Sequence, residues 1–250
     1  MGDRTPTAGT SRDAKAWQRR LAPTDAAASF ANGRLPTVLM PVRWLVRGGV
    51  SLFMNSYVRV HASGRENIPT EGAFLLAPNH SSHLDSPSTI SAIGGKRRVW
   101  VAGAQDYFFN TAMKRFLFGK ILDTISFDRK ADGIRGLRRC GDALSRGDGL
   151  LIFPEGTRSI TGEIQPFKIG VAVLAIERSV PIVPVHIYRT FDLLRKGQRI
   201  VRPGVAHVRF GVPIVPPNPN EIDDHYTAFR ELAAEVEQAV RGMRSEADAR

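Results

Sequence analysis

The 250-residue chain contains a single cysteine, Cys140. It can therefore form no intramolecular disulfide and no cysteine-based metal cluster, and nothing in it calls for an oxidising compartment. Long hydrophobic runs are also missing. Between Pro36 and Val58, where Val, Leu, Met, Trp and Phe dominate, Arg43 and Arg47 interrupt, and the longest uncharged piece falls short of the ~18 residues of a spanning helix. No apolar stretch opens the chain either. Asp3, Arg4, Arg12, Asp13 and Lys15 break any signal-peptide core, and Pro6 stands where the myristoylation motif needs Ser or Thr. There is no Gly-x-Ser-x-Gly elbow, Gly95-Lys96 and Gly119-Lys120 lack the earlier Gly of a P-loop, and Gly147-Asp148-Gly149 precedes a strand instead of following one. Serine hydrolases, P-loop nucleotide hydrolases and dinucleotide enzymes all lose ground.

The charge present is uneven. The net charge is +11, yet residues 221–250 hold eight acids against four Arg, so the rest of the chain carries +15. Such a body favours nucleic acid, anionic lipid headgroups or an anionic substrate. No groove of interleaved aromatic and basic residues supports nucleic acid.

Three regions are expected: a flexible tail over 1–34, an amphipathic membrane-associating helix over 35–60, and a domain over 61–250. The tail is rich in Ala, Thr, Ser and charge. In the helix, Arg43 and Arg47 share a face near Trp44, Leu45, Leu52, Phe53 and Met54, a pattern suited to lying in a membrane interface, with Gly48-Gly49 as a possible kink. Beyond Pro69, short apolar runs at 73–77, 99–102, 125–127, 150–153 and 182–187 read as buried strands. They alternate with helical patterns at 87–93, 107–120, 132–145 and 167–178. This predicts an α/β fold, a largely parallel sheet covered by helices. A last strand is expected at 207–210, then a proline-rich loop and a closing amphipathic helix carrying Ile222, Tyr226, Phe229, Leu232, Val236, Val240 and Met243.

Two motifs sit where apolar runs end, as a site on an open α/β sheet would. The first is Asn79-His80-Ser81-Ser82-His83-Leu84-Asp85. On a regular helix His80 and Asp85 would point about 140° apart, so they need a loop, which Ser86 as N-cap and Pro87 as first helical residue would provide. A carboxylate on one imidazole nitrogen fixes the tautomer and leaves the other nitrogen to take a proton from an attacking hydroxyl. The alternative is a polar loop capping a helix. A metal site of His80, His83 and Asp85 lacks the spacing of a zinc hydrolase helix and any completing ligand. The second motif is Phe153-Pro154-Glu155-Gly156-Thr157-Arg158-Ser159. Gly156 permits tight backbone geometry, Arg158 offers a fork of donors, Thr157 and Ser159 add hydroxyls, and Lys168 near the next helix adds a charge, which together suit a phosphate.

In this order the motifs resemble the glycerolipid acyltransferases related to 1-acyl-glycerol-3-phosphate acyltransferase. The His-x4-Asp signature is matched by His80 and Asp85, the Phe-Pro-Glu-Gly-Thr-Arg-Ser block by 153–159, the apolar-Asp-Arg block by Phe127-Asp128-Arg129, and a Val-Pro-Ile-Val-Pro-Val block by 180–185. The resemblance implies direct attack of an acceptor hydroxyl on an acyl thioester, with His80 as base and Asp85 orienting it, no acyl-enzyme and no cofactor or metal. Arg129, Glu155, Gly156, Thr157, Arg158 and Lys168 would bind the acceptor headgroup, and 180–185 would lie near the acyl chain. The partners implied are a lysophospholipid acceptor, acyl-CoA or acyl carrier protein, and an anionic membrane surface. The expected location is the cytoplasmic face of a membrane, peripheral or monotopic. Two positions depart from the family pattern: Asp123 stands where Gly is usual, and Gln105, before Asp106, where many relatives carry Lys. An acceptor that is another lysolipid or resembles glycerol-3-phosphate is one alternative, and a non-catalytic basic membrane-binding module is the alternative of another class.

Overall fold

The computed structural model describes residues 36–95, 97–104, 109–127 and 133–248. The expected tail, Gln105, Asp106 and Arg129 lie outside these residues. Seven strands form one sheet in the order β1-β7-β6-β2-β5-β3-β4. They are β1 (Val60–Ser63), β2 (Phe74–Pro78), β3 (Val99–Ala104), β4 (Thr124–Phe127), β5 (Gly149–Leu151), β6 (Ile182–Tyr188) and β7 (Ala206–Phe210). Neighbours run parallel except β6 and β7. The largely parallel sheet is thus as expected, with β1 added. That strand escapes a search for apolar runs because Val60-His61-Ala62-Ser63 alternates partly buried with exposed positions at the sheet's edge.

β2 shows why the central strands read as continuous apolar runs: all five residues are buried. Leu75 and Ala77 pack toward α4 (Gly133–Leu144), α5 (Gly170–Arg178) and the closing helix α7 (His225–Asp248), whereas Phe74 and Leu76 join the cluster of Ala92 and Ile93 from α2 (Asp85–Ile93). Alternation along the strand thereby splits the core into two apolar layers, one on each face. The 180–185 block enters β6, whose Ile182, Val183 and Val185 are buried in the sheet and do not line the cleft described below.

Local chemistry trims two expected helices. Residues 167–168 stay outside α5 because the Phe167 amide donates to Glu237 at 2.8 Å and the Lys168 amide to the Pro154 carbonyl at 3.0 Å. The helix expected at 107–120 is, in its described part, a short α3 (Ala112–Lys114) continued by a π-helical stretch, Arg115–Ile121.

The N-terminal helix α1 (Met40–Ser56) is continuous through Gly48-Gly49. Met54 near its end packs with Val58, Leu84, Leu193 and Leu194. Arg43 and Arg47 turn inward and reach Asp123 Oδ2 at 2.6 and 2.7 Å, while Arg98 reaches Oδ1 at 3.0 Å. Asp123 sits at φ 49, the left-handed region where Gly is at ease. Burial works against its charge, but the Arg98, Arg43 and Arg47 guanidiniums prevail and hold its carboxyl below the usual range. What departs from the family pattern in sequence is here the anchor of α1.

Candidate active site

β2 and β5 are parallel neighbours, with Leu76 opposite Leu151. Their carboxyl ends therefore deliver the two motifs side by side, although the motifs lie some seventy residues apart. His80 and the second loop are then stitched together. The His80 amide donates to Glu155 Oε1 at 2.7 Å, the Ser159 amide donates to the His80 carbonyl at 2.8 Å, and the His80 ring stacks on Phe153 with centroids 3.8 Å apart. On the other flank, Asn79 accepts from the Ile187 amide and donates to its carbonyl, at 2.7 and 2.8 Å, tying the loop to β6.

His80 Nδ1 lies 2.9 Å from Asp85 Oδ2. A carboxylate accepts, so Nδ1 is the donor, and in the neutral ring Nε2 holds the lone pair. Asp85 is fully buried and its position is heavily determined. Oδ2 also accepts from the Ser81 and Ser82 amides at 2.7 and 2.8 Å, and Oδ1 accepts from the Thr190 hydroxyl at 2.6 Å. The helix begins two residues earlier than expected, at Asp85, with Leu84 and not Ser86 at the cap. The reason is that Asp85 itself bonds the two preceding amides and so closes the turn. Thr190, on the four-residue α6 (Thr190–Leu193), is the partner sequence reasoning missed, and at a separation of 105 residues no local pattern signals it.

His80 opens onto a cleft of about 2100 Å³. Arg158, Gly156, Thr157 and Lys168 line it with His80, and residues 99–103 of β3 run along it. α1 and α2 contribute Trp44, Phe53, Pro87 and Ile90. Asp123 and its arginines lie at the amino ends of β3 and β4, and Asp123, Arg43, Arg47 and Arg98 line the same cleft. Gly156 adopts φ 72, and a Cβ there would lie 2.7 Å from Lys168 Nζ, so the glycine is what lets the ammonium approach the loop backbone. Glu155 is placed differently from its neighbours. It is 3 % exposed, does not line the cleft and supports His80 from beneath. Burial pushes its carboxyl up to about 7, against the opposing pull of the His80 and Gln165 amides. His83 lines the cleft and is held neutral, its value lowered to about 4 by burial first, then by Arg158 and His80. Among the described residues, no group of three or more His, Cys, Asp or Glu is placed to hold a metal ion.

The arrangement joins a tautomer-fixed imidazole, cationic side chains and a long, partly apolar cleft. The family model described as Acyltransferase matches residues 59–188, a span that contains both loops. The chain belongs to the acyltransferase family. It is 31% identical over 203 residues to a probable 1-acyl-sn-glycerol-3-phosphate acyltransferase of Mycoplasma pneumoniae, covering 74% of each chain. It is also 31% identical over 166 residues to 1-acyl-sn-glycerol-3-phosphate acyltransferase alpha of Homo sapiens, spanning 66% of this chain but 56% of the human protein. Among solved structures, the 1-acyl-sn-glycerophosphate (LPA) acyltransferase PlsC from Thermotoga maritima matches with a TM-score of 0.65 and 25% identity, over 86% of this chain and 85% of that one. Family and fold agree on an O-acyltransferase.

Proposed function

We propose that this acyltransferase moves a fatty acyl group from an acyl-CoA or acyl-carrier-protein thioester to the free hydroxyl of 1-acyl-glycerol-3-phosphate. The single observation that carries the reading is the His80–Asp85 pair opening onto a cleft flanked by Arg158 and Lys168. His80 Nε2 takes the proton of the acceptor hydroxyl as its oxygen attacks the thioester carbonyl. The tetrahedral intermediate collapses, the carbon–sulfur bond breaks, and the imidazolium returns the proton to the leaving thiolate. Asp85 keeps the tautomer and stabilises the imidazolium between those steps. The headgroup phosphate is held by Arg158 and Lys168, with Gly156 and Thr157 shaping the loop and Arg129 of the third block as a further cation. Glu155 serves the same site by holding the His80 backbone. No acyl-enzyme forms and no cofactor or metal takes part, the acyl donor being a co-substrate.

In the same reading α1 lies in the interface of an anionic membrane, with the protein peripheral or monotopic on the cytoplasmic face. Among the described residues no helix is long and apolar enough to cross a membrane. Trp44, Leu45 and Leu52 are 72%, 77% and 67% exposed, while Arg43 and Arg47 are turned inward to Asp123, which leaves an apolar outer face suited to lipid.

Purified protein given acyl-CoA and a panel of acceptors should release thiol fastest with 1-acyl-glycerol-3-phosphate. The panel includes glycerol-3-phosphate and neutral lysolipids, and mass measurement identifies the product. His80→Ala should abolish release. Equal rates for wild type and His80→Ala would sink the mechanism, and preference for another acceptor would sink the substrate assignment alone.

A further inference from the structure

The loop that follows α6 is not used by the chemistry above. Residues 195–202 read Arg-Lys-Gly-Gln-Arg-Ile-Val-Arg, four cations in eight residues with no acid. Asp192 lies 3.6 Å from Arg195 and offsets that one cation, leaving Lys196, Arg199 and Arg202 as a net positive surface. In the midst of these charges Ile200 is 81% exposed. A single exposed aliphatic is ordinary on a protein surface, so what gives Ile200 meaning is its place among these cations and beside the exposed apolar face of α1.

The loop is built into the molecule at three points. Its far end meets the end of α1, where the Tyr57 hydroxyl donates to the Val201 carbonyl at 3.2 Å and the Gly204 amide donates to the Tyr57 carbonyl at 3.3 Å. Its near end meets the first catalytic motif, where the Ser82 hydroxyl donates to the Leu194 carbonyl at 2.7 Å. Lys196 between them lines the cleft. Tyr57 in turn stacks on Phe53 at 5.2 Å, and both are partly exposed. The exposed apolar surface of α1 therefore continues through Phe53 and Tyr57 to the segment that carries Ile200.

We propose that residues 195–202 form a second membrane-contact element beside α1, resting their cations on anionic headgroups and inserting Ile200 at the interface. The combination decides the occupant. Cations alone would fit any acidic partner, but cations around an exposed aliphatic tip, continuous with an apolar helix face, match a surface that is anionic above and apolar beneath. Because the loop root is bonded to Ser82, this contact holds the mouth of the cleft against the bilayer, where an acceptor lipid would enter. The proposal rests on the reading of α1 as interfacial and is separable from the acyl chemistry.

Flotation of the full chain with phosphatidylcholine vesicles, with and without phosphatidylglycerol, tests it. Arg199→Ser with Arg202→Ser should lower partition onto the anionic vesicles about tenfold or more, since each cation near such a surface contributes about a fivefold gain. Ile200→Ser should lower partition onto both vesicle types severalfold. All three substitutions are on exposed side chains, and Tm together with thiol release on a dispersed short-chain acceptor should match wild type. Trp44→Ser is the separate arm for α1: wild-type flotation by that variant overturns the α1 reading and the loop proposal that rests on it, whereas reduced flotation by it with normal flotation by the loop variants overturns the loop proposal alone. Wild-type flotation by the loop variants overturns the proposal. If they float normally yet lose turnover with acyl carrier protein relative to acyl-CoA, the loop serves an acidic protein, and the membrane proposal is equally overturned.

Discussion

Asp85 draws four donors onto two oxygens, from His80, Ser81, Ser82 and Thr190, and nearly every residue-scale expectation follows from that. Asp85→Asn keeps one acceptor oxygen for the three N–H groups but removes the negative charge that stabilises the imidazolium. Steady-state assays should show kcat lower by about 10²- to 10⁴-fold. Thr190→Val removes one donor while keeping shape, leaving a buried carboxylate oxygen short of a partner. Thermal melts should give a loss of about 1–2 kcal/mol, and kcat should fall about tenfold at unchanged KM, with Thr190→Ser restoring both. His80 and Asp85 were legible because the pair lies only five positions apart in one short segment. Thr190 was not, because a hydroxyl in a four-residue helix acquires meaning only when β6 is laid beside β2.

At the scale of elements, the apolar runs located five of the seven strands, since a parallel strand covered on both faces must be apolar throughout, and a sixth, β7, was expected although its buried positions only alternate. β1 broke that rule by lying at the edge. α1 was legible as an amphipathic helix but not as a docked one. Its arginines suggested a polar face, and only the turn before β4 shows what they bind. Asp123→Ala should leave Arg43, Arg47 and Arg98 without their shared anion, at a cost of about 1–3 kcal/mol given how far the guanidiniums remain hydrated. Limited proteolysis should then cut between α1 and β1 faster than in wild type. Asp123→Gly, which relaxes the left-handed backbone, should recover part of the stability but not the protection of α1.

Over the whole molecule, Glu155 links protonation to folding. Its folded value of about 7 stands above the 4.5 of a free carboxyl, so its contribution is complete below about pH 4.5 and is lost as pH rises through 7. Glu155→Gln keeps an oxygen for the His80 amide and cannot ionise. Its Tm should exceed that of wild type by about 2–4 °C at pH 8, with the gap closing toward pH 5. A constant gap across that range would show that the buried carboxyl is not the titrating group.

The sequence by itself determined most of the succession of strands and helices along the chain, the residues of both loops and the separation of a basic body from an acidic closing helix, because periodicity and turn chemistry are local. Tertiary structure alone decided that Glu155 supports His80, that Thr190 completes the carboxylate's shell and that Asp123 anchors α1. Each of those contacts joins atoms 75 to 105 residues apart, and the spatial arrangement of the strands, which no local pattern encodes, is what brings them within reach.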